Sequence, residues 1–188
     1  MKRLIFIIGI LLAHQVVDAQ KKQHILITYY SSSGSTTQMA KAIAEGALKV
    51  PNTDVVFKSI SETTQADLLS ANAIIIGSPV YNANPAPEVL KFIQNWPFEG
   101  APLKNKLAAV FVTGGGISSG EELVQSALMH SMLIFGMVIV GGETWKSAFG
   151  ASAITDEPPF SQKIDASFLN KATQLGTRVA EASLRWNK

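Results

Sequence analysis

The feature that most restricts the fold of this chain is an alternation of short, continuous apolar runs with longer amphipathic stretches. The runs are too short for helices and are rich in β-branched residues, which is typical of strands buried on both faces. They occupy residues 25–27, 73–76, 107–112 and 137–140, and a less apolar run at 54–57 is predicted to lie nearer a sheet edge. Helices are predicted between and after them, over residues 37–50, 87–95, 120–135 and about 166–186.

This alternation predicts an α/β fold. Parallel strands joined by right-handed helical crossovers form a doubly wound sheet with helices on both faces, which gives three layers. We expect five parallel strands in one sheet. Residues 20–188 are enough for a single domain with a sizeable core, and no linker or repeat indicates a second domain.

The first nineteen residues form a separate unit. Two basic residues precede an apolar run at 4–13, and Val-Asp-Ala at 17–19 offers small residues at the spacing of a cleavage site. The run is well short of the roughly 20 apolar residues that span a bilayer. We therefore expect a cleaved signal peptide at 1–19, export to the periplasm or the outside of the cell, and no stable membrane insertion.

Charge and composition exclude several classes of partner. The chain has 16 basic and 14 acidic side chains, and removal of residues 1–19 takes away two basic and one acidic residue, leaving a net charge of +1. This balance gives no basic surface for nucleic acid. The sequence contains no cysteine, and its histidines, His14, His24 and His130, lie far apart, so neither a disulfide nor a metal site is predicted.

Polar segments follow three of the predicted strands. They read SSSGSTT at 31–37, GSPVYNANPAP at 77–87 and TGGGISSG at 113–120. Ligands of doubly wound sheets bind beyond the carboxyl ends of the strands, so these segments are expected to form one site. None contains a charged side chain, and neutral donors with exposed backbone amides suit an anion or a polar cofactor.

The first of these segments predicts a phosphate cradle. A helix that begins near Thr36 directs free N–H groups and the positive end of its dipole at the loop, and Gly34 allows close approach of the backbone. The loop lacks the lysine of nucleoside triphosphatases. An ordinary turn with a helix cap is the alternative, although a cap needs one hydroxyl side chain rather than six.

Ser31-x-Ser33-Gly34-x-Thr36 resembles the flavodoxin phosphate loop, [ST]-x-[ST]-G-x-T, which holds the phosphate of FMN. Over residues 24–156 the chain is similar to the WrbA-type NAD(P)H:quinone oxidoreductases of the flavodoxin-like superfamily. The similar segments are YYSSSGSTTQMAKAIAEGA, AIIIGSPVYNANPAPEVLKFI, KLAAVFVTGGGISSGEE, FGMVIVGG and FGASAITD. The resemblance implies strand order 2-1-3-4-5, FMN as cofactor, NAD(P)H as a donor and a quinone-like small molecule as acceptor.

The resemblance also assigns FMN contacts to each loop. The phosphate would be bound by Ser31, Ser33, Gly34, Ser35 and Thr36. The loop against the isoalloxazine ring would consist of Pro79, Val80, Tyr81, Asn82, Ala83 and Asn84. The pyrimidine end of the ring or the ribityl chain would lie on Thr113, Gly114, Gly115 and Gly116. No side chain is assigned a role as acid or base, because the flavin carries the chemistry.

Two departures from the WrbA-type pattern bear on function. Those enzymes have a histidine close to the flavin where this chain has Ile134 and Phe135. The chain is also shorter between Phe57 and Ala73, where those enzymes carry residues associated with oligomer contacts. The apolar stretch at 127–140 is interpreted either as core or as a subunit interface of a homo-oligomer.

Three other functions are compatible with parts of the sequence. A flavodoxin that only shuttles electrons would use the same loops, although such proteins tend to be strongly acidic. A flavodoxin-like interaction module would need no cofactor. A serine hydrolase would use Ser118 in the G-x-S-x-G motif at 116–120, but His130 precedes Asp156 and Asp165, so the usual order of the triad is absent.

Overall fold

The computed structural model describes residues 21–160 and 163–187, so the predicted signal peptide lies outside it. Its strands are β1 (Gln23–Tyr29), β2 (Thr53–Ser59), β3 (Ala73–Tyr81), β4 (Asn84–Pro85), β5 (Leu107–Gly114), β6 (Val138–Ile139) and β7 (Ala151–Ile154). Its helices are α1 (Ser35–Leu48), α2 (Gln65–Ser70), α3 (Pro87–Gln94), α4 (Glu121–Ile134) and α5 (Ala166–Trp186), with a 3₁₀ turn at Trp145–Ser147. Of these helices, none is both long and apolar enough to cross a membrane.

The sheet confirms the predicted α/β architecture. Its parallel strands follow the order β2-β1-β3-β5-β6, and β4 adds only a short antiparallel hairpin to β3. This is the predicted order 2-1-3-4-5, because β5 and β6 are the predicted fourth and fifth strands. The carboxyl ends of β1, β3 and β5 therefore lie side by side.

Helices cover both faces of the sheet. On one face α1 and α5 pack closely, and a Cβ atom at Gly46 would lie 1.9 Å from the Thr173 carbonyl oxygen. A Cβ atom at Gly176 would lie equally close to the Ile43 oxygen, so these two glycines permit the contact. Leu68 of α2, Val89 of α3 and Leu128 of α4 belong to the core on the other face.

The fifth strand position differs from the prediction. The run at 137–140 contributes only β6, which pairs with the first two residues of β5. The chain then leaves the sheet and returns as β7, which pairs with residues 111–114 at the other end of β5. In place of the single fifth strand that was expected, two short strands, β6 and β7, pair with opposite ends of β5.

The end of β3 also lies later than the apolar run indicates. Residues 77–79 continue the strand and pair with residues 111–113 of β5, and Gly77 also pairs with Tyr29 of β1. Gly77 allows this continuation, because a Cβ atom there would lie 2.0 Å from the Phe111 ring. Pro79, Val80 and Tyr81, predicted as loop residues, therefore belong to the strand.

Candidate functional site

The first loop turns sharply from β1 into α1. Gly34 precedes the helix with a φ of 92°, a left-handed conformation that favours glycine, and the space around its absent Cβ is open. The Ser31 hydroxyl oxygen accepts hydrogen bonds from the amides of Gly34 at 3.1 Å and Thr37 at 3.4 Å. The turn is thus fixed from within and leaves an open concavity at the helix N-terminus.

This concavity has the electrostatic character of an anion site. The amides of Ser35 and Thr36 donate no hydrogen bond within residues 21–160 and 163–187, and the first turn of α1 contains no acidic residue. The first turn of α4, by contrast, contains Glu121 and Glu122. The positive end of the α1 dipole is therefore free to bind an anion, and the cradle fits a phosphate group such as that of FMN.

Side-chain hydrogen bonds join the first loop to the other two. The Ser32 hydroxyl and the Tyr81 phenol lie 2.8 Å apart, which connects the first loop to the second. The hydroxyls of Thr36 and Thr113 also lie 2.8 Å apart, in a buried position, and connect the first loop to the third. The structure therefore brings the three predicted loops together.

The second loop is a tight hairpin at the end of β3. Asn82 and Ala83 have φ values of 50° and 59°, typical of a two-residue turn with both central residues left-handed, and Tyr81 pairs with Asn84. The Asn84 side-chain amide donates to the Asn82 carbonyl at 2.8 Å. A Cβ atom at Gly120 would lie 2.5 Å from that of Ala83, so the hairpin contacts the third loop.

The third loop is held in place by Asp156 and Glu157, which the sequence analysis did not assign to the site. The amide of Asp156 donates to the Gly115 carbonyl at 2.9 Å, and a Glu157 carboxylate oxygen accepts from the Ile117 amide at 2.6 Å. A Cβ atom at Gly116 would lie 2.7 Å from that carboxylate oxygen, so a side chain there would require the Glu157 carboxylate to move. Two carboxylates thus flank a site whose loops lack charge. The segment FGASAITD, at 149–156, was the available signal.

The predicted FMN-binding residues differ in what they can offer a ligand. Ser33 is exposed and its hydroxyl lies 3.4 Å from that of Ser35. Thr36 and Thr113 are buried and bonded to each other, so a ligand can reach their backbone rather than their hydroxyls. Pro79 is buried in β3. In the second and third loops, the predicted residues that are exposed or half-buried are Val80, Tyr81, Asn82, Ala83, Asn84, Gly115 and Gly116. Gly114 is buried.

Phe135 lies far from these loops in its own chain. It follows α4, whose 14 residues lead away from Gly120 at about 1.5 Å per residue. Its ring packs against Trp96 at 5.4 Å and Phe98 at 5.8 Å between ring centroids. The position at which WrbA-type enzymes have a histidine is therefore part of an aromatic cluster at the opposite end of α4.

The arrangement offers little support for a hydrolase. Ser118 is exposed in the loop before α4 with a φ of 64°. The two histidines in the described ranges, His24 in β1 and His130 in the third turn of α4, form no hydrogen bond with Ser118. Among the described residues, no group of three or more histidine or acidic side chains could hold a metal ion.

Comparisons with known proteins give a consistent result. Residues 33–152 match the family described as NADPH-dependent FMN reductase. A flavodoxin of Aquifex aeolicus is 26% identical over 84% of this chain and 85% of its own length. A flavodoxin of Clostridium saccharobutylicum is 30% identical over 63% of this chain and 72% of its own.

Solved structures agree on the fold. A WrbA-like flavodoxin from Agrobacterium tumefaciens superposes with a TM-score of 0.73 at 23% identity, over 87% of this chain and 98% of that one. An archaeal flavodoxin gives a TM-score of 0.66 at 22% identity, over 86% and 99%. The flavodoxin-like resemblance of the sequence is thereby confirmed.

Proposed function

Because the chain belongs to the NADPH-dependent FMN reductase family, we propose that it transfers two electrons from NAD(P)H through FMN to a quinone-like acceptor. The observation that carries this proposal is the open, uncharged cradle at the N-terminus of α1, bordered by two further loops. FMN, when bound, supplies the redox chemistry, and the protein supplies binding and orientation.

The residues of the site have separate tasks in this proposal. The amides of Ser35 and Thr36 and the hydroxyl of Ser33 would bind the phosphate. Tyr81, held by Ser32, would form one wall for the ring, and the third loop with Glu157 would border its pyrimidine side. No side chain of the three loops needs to transfer a proton, in keeping with the absence of histidine from them.

The experiment follows the flavin of the purified protein under anaerobic conditions. We expect the extracted cofactor to be FMN, and NADPH or NADH to bleach its visible absorbance without any added reductase. Addition of a soluble benzoquinone should restore the absorbance with one equivalent per flavin, and steady-state kinetics should be ping-pong because donor and acceptor use the flavin in turn. A holoprotein whose flavin neither nicotinamide reduces would contradict the proposed reductase.

A flavodoxin-type electron shuttle is the second candidate, because the relatives from Aquifex and Clostridium are both named flavodoxin. The same experiment separates the two functions. A shuttle would take electrons only when a partner reductase is added. The net charge of +2 for the whole chain argues against it, since a shuttle steered to basic partners is expected to be acidic.

A further inference from the structure

A groove of about 670 Å³ opens beside the first loop, on the face of the sheet that α3 covers. One wall is the flank of α3, and the other is the last residue of β2 with the turn after it, at residues 59–61. The connection from β2 to β3 contains α2, which has only six residues and one buried side chain, Leu68. The short connection therefore leaves the flank of α3 open.

The side chains that line the groove suit the parts of a nucleotide. Tyr30 and Phe92 are half-buried aromatic residues on which a base can stack. Lys91 is the cation in the lining and can pair with a phosphate, and Asn95 can bond the edge of a base. Glu88 resembles in type the acidic residue that binds ribose hydroxyls in dinucleotide sites.

Glu88 also acts on its aromatic neighbour. Partial burial, together with the Glu88 carboxylate beside it, raises the pKa of the Tyr30 phenol above its usual value. Tyr30 therefore stays neutral through the physiological range and keeps its proton for a hydrogen bond. The Tyr30 ring thus adds no negative charge of its own, and the acidic group in the lining is the Glu88 carboxylate, which Lys91 balances.

The groove is continuous with the phosphate cradle. Ser31 and Thr37 border both, and Tyr30 directly precedes the first loop. A dinucleotide is two nucleotides long, and its nicotinamide nucleotide is similar in length to FMN. A nicotinamide stacked on a flavin ring between the second and third loops would leave the other nucleotide to extend past the first loop, where the groove begins.

We propose that this groove binds the adenosine 5′-phosphate part of NAD(P)H, with the base on Tyr30 and Phe92 and a phosphate at Lys91. The proposal rests on the proposed function for the identity of the donor. FAD is a second source of the same chemistry, because its adenosine phosphate is attached where FMN has its phosphate.

The test compares donors with and without the adenosine part. Holoprotein is reduced anaerobically by NADPH, by NADH and by reduced nicotinamide mononucleotide. We expect Lys91→Ala and Phe92→Leu each to raise KM for the dinucleotides about tenfold, with kcat and the KM for the mononucleotide unchanged. Gln94→Ala, on the exposed surface of the same helix and outside the groove, is the matched control and should change nothing. Equal effects on both kinds of donor, or none on the dinucleotides, would overturn the proposal.

Two binding measurements separate this proposal from the proposed function. Calorimetric titration of holoprotein with ADP should show binding that Lys91→Ala and Phe92→Leu weaken about tenfold, even if no nicotinamide reduces the flavin. If NADPH reduces the flavin but ADP does not bind, the groove assignment is wrong and the reductase stands. Apoprotein that binds FAD more tightly than FMN, and loses that preference in Lys91→Ala, would overturn the assignment to NAD(P)H.

Discussion

Ser33 and Thr36 occupy the same motif but have different surroundings. The motif assigns both to the phosphate, and Ser33 is indeed exposed at the open side of the loop. Thr36 is only 1% exposed and shares a hydrogen bond with Thr113, so its hydroxyl joins two loops instead of facing a ligand. The spacing of hydroxyl residues predicts a cradle, but it does not show which hydroxyls a neighbouring strand will engage.

Replacement of Ser33 should therefore weaken the binding of FMN and leave the binding of riboflavin unchanged. We expect Ser33→Ala to weaken FMN binding by about 1.5–3 kcal/mol, the value of a hydrogen bond to a charged group. Riboflavin, which lacks the phosphate, should bind as it does to the wild type. Fluorescence titration of apoprotein with both flavins measures the difference.

Thr36→Val is the companion variant. It leaves the Thr113 hydroxyl buried without its partner, which should cost about 1–3 kcal/mol of unfolding free energy and weaken both flavins alike. Equal losses of FMN and riboflavin in Ser33→Ala would show that Ser33 does not contact the phosphate.

At the scale of elements, the apolar pattern of the sequence predicted the strands and helices that contribute most to the core. The buried runs of β1, β3 and β5 and the amphipathic α1 and α5 were all expected. The six-residue α2 was missed because it is too short to show a periodic apolar face, and it is fixed by a capping box between Thr64 and Asp67. β7 was missed because ASAI at 151–154 is short and weakly apolar, and becomes a strand only by pairing with β5.

The capping box makes the stability of α2 dependent on pH. Hydrogen bonds from Lys58 and from Thr64 lower the pKa of Asp67 to about 2. Because this value lies below the roughly 3.9 of an unfolded chain, the carboxylate stabilises the fold above pH 4, and the contribution disappears as the pH falls to about 2. Asp67→Asn should therefore lower the unfolding free energy at pH 7 by about 1 kcal/mol.

Urea unfolding of wild type and Asp67→Asn at several pH values measures this contribution. The difference between the two proteins should be constant from pH 7 to pH 5 and vanish near pH 2. Glu45→Gln, on the exposed side of α1, serves as the control for loss of one negative charge. A difference that persists at pH 2 would mean that packing rather than ionisation accounts for the effect of the Asp67 substitution.

At the scale of the whole molecule, the site could be located from sequence but not completed. The rule that ligands bind where parallel strands end placed the three loops correctly beside each other, and their mutual hydrogen bonds follow from that neighbourhood. Glu157 lies one residue beyond the FGASAITD segment and joins the candidate site only through long-range folding. The same holds for the flank of α3 that we propose as part of it. Residues forty positions apart, such as Ile117 and Glu157, meet only in the folded chain.

The outer surface of α4 exposes several large apolar side chains, which bears on whether the protein forms oligomers. Ile134 is 72% exposed, Leu123 64% and Leu133 54%, and residues 123–137 contain no lysine, arginine, aspartate or glutamate. Ala127 and the exposed His130 lie between Leu123 and Ile134 on this face, so it is mostly apolar with one histidine. A mostly apolar exposed face is typical of a surface covered by another protein. The sequence leaves a homo-oligomer open as one of two interpretations of residues 127–140, and we propose that a second copy binds this face.

If a second copy covers this face, light scattering coupled to size-exclusion chromatography should show a wild-type mass of at least two chains. A stable pair of this kind buries roughly 800 Å² on each partner. The double variant Leu133→Ser with Ile134→Ser should elute as a monomer, since each buried aliphatic side chain contributes about 1.5–3 kcal/mol. Leu48→Ser, at the end of α1 and 60% exposed, removes a similar side chain elsewhere and should leave the mass unchanged. FMN affinity should survive in the double variant, because the three loops lie at the other end of α4. A wild-type protein that stays monomeric at high concentration would contradict the prediction that a second copy binds this face.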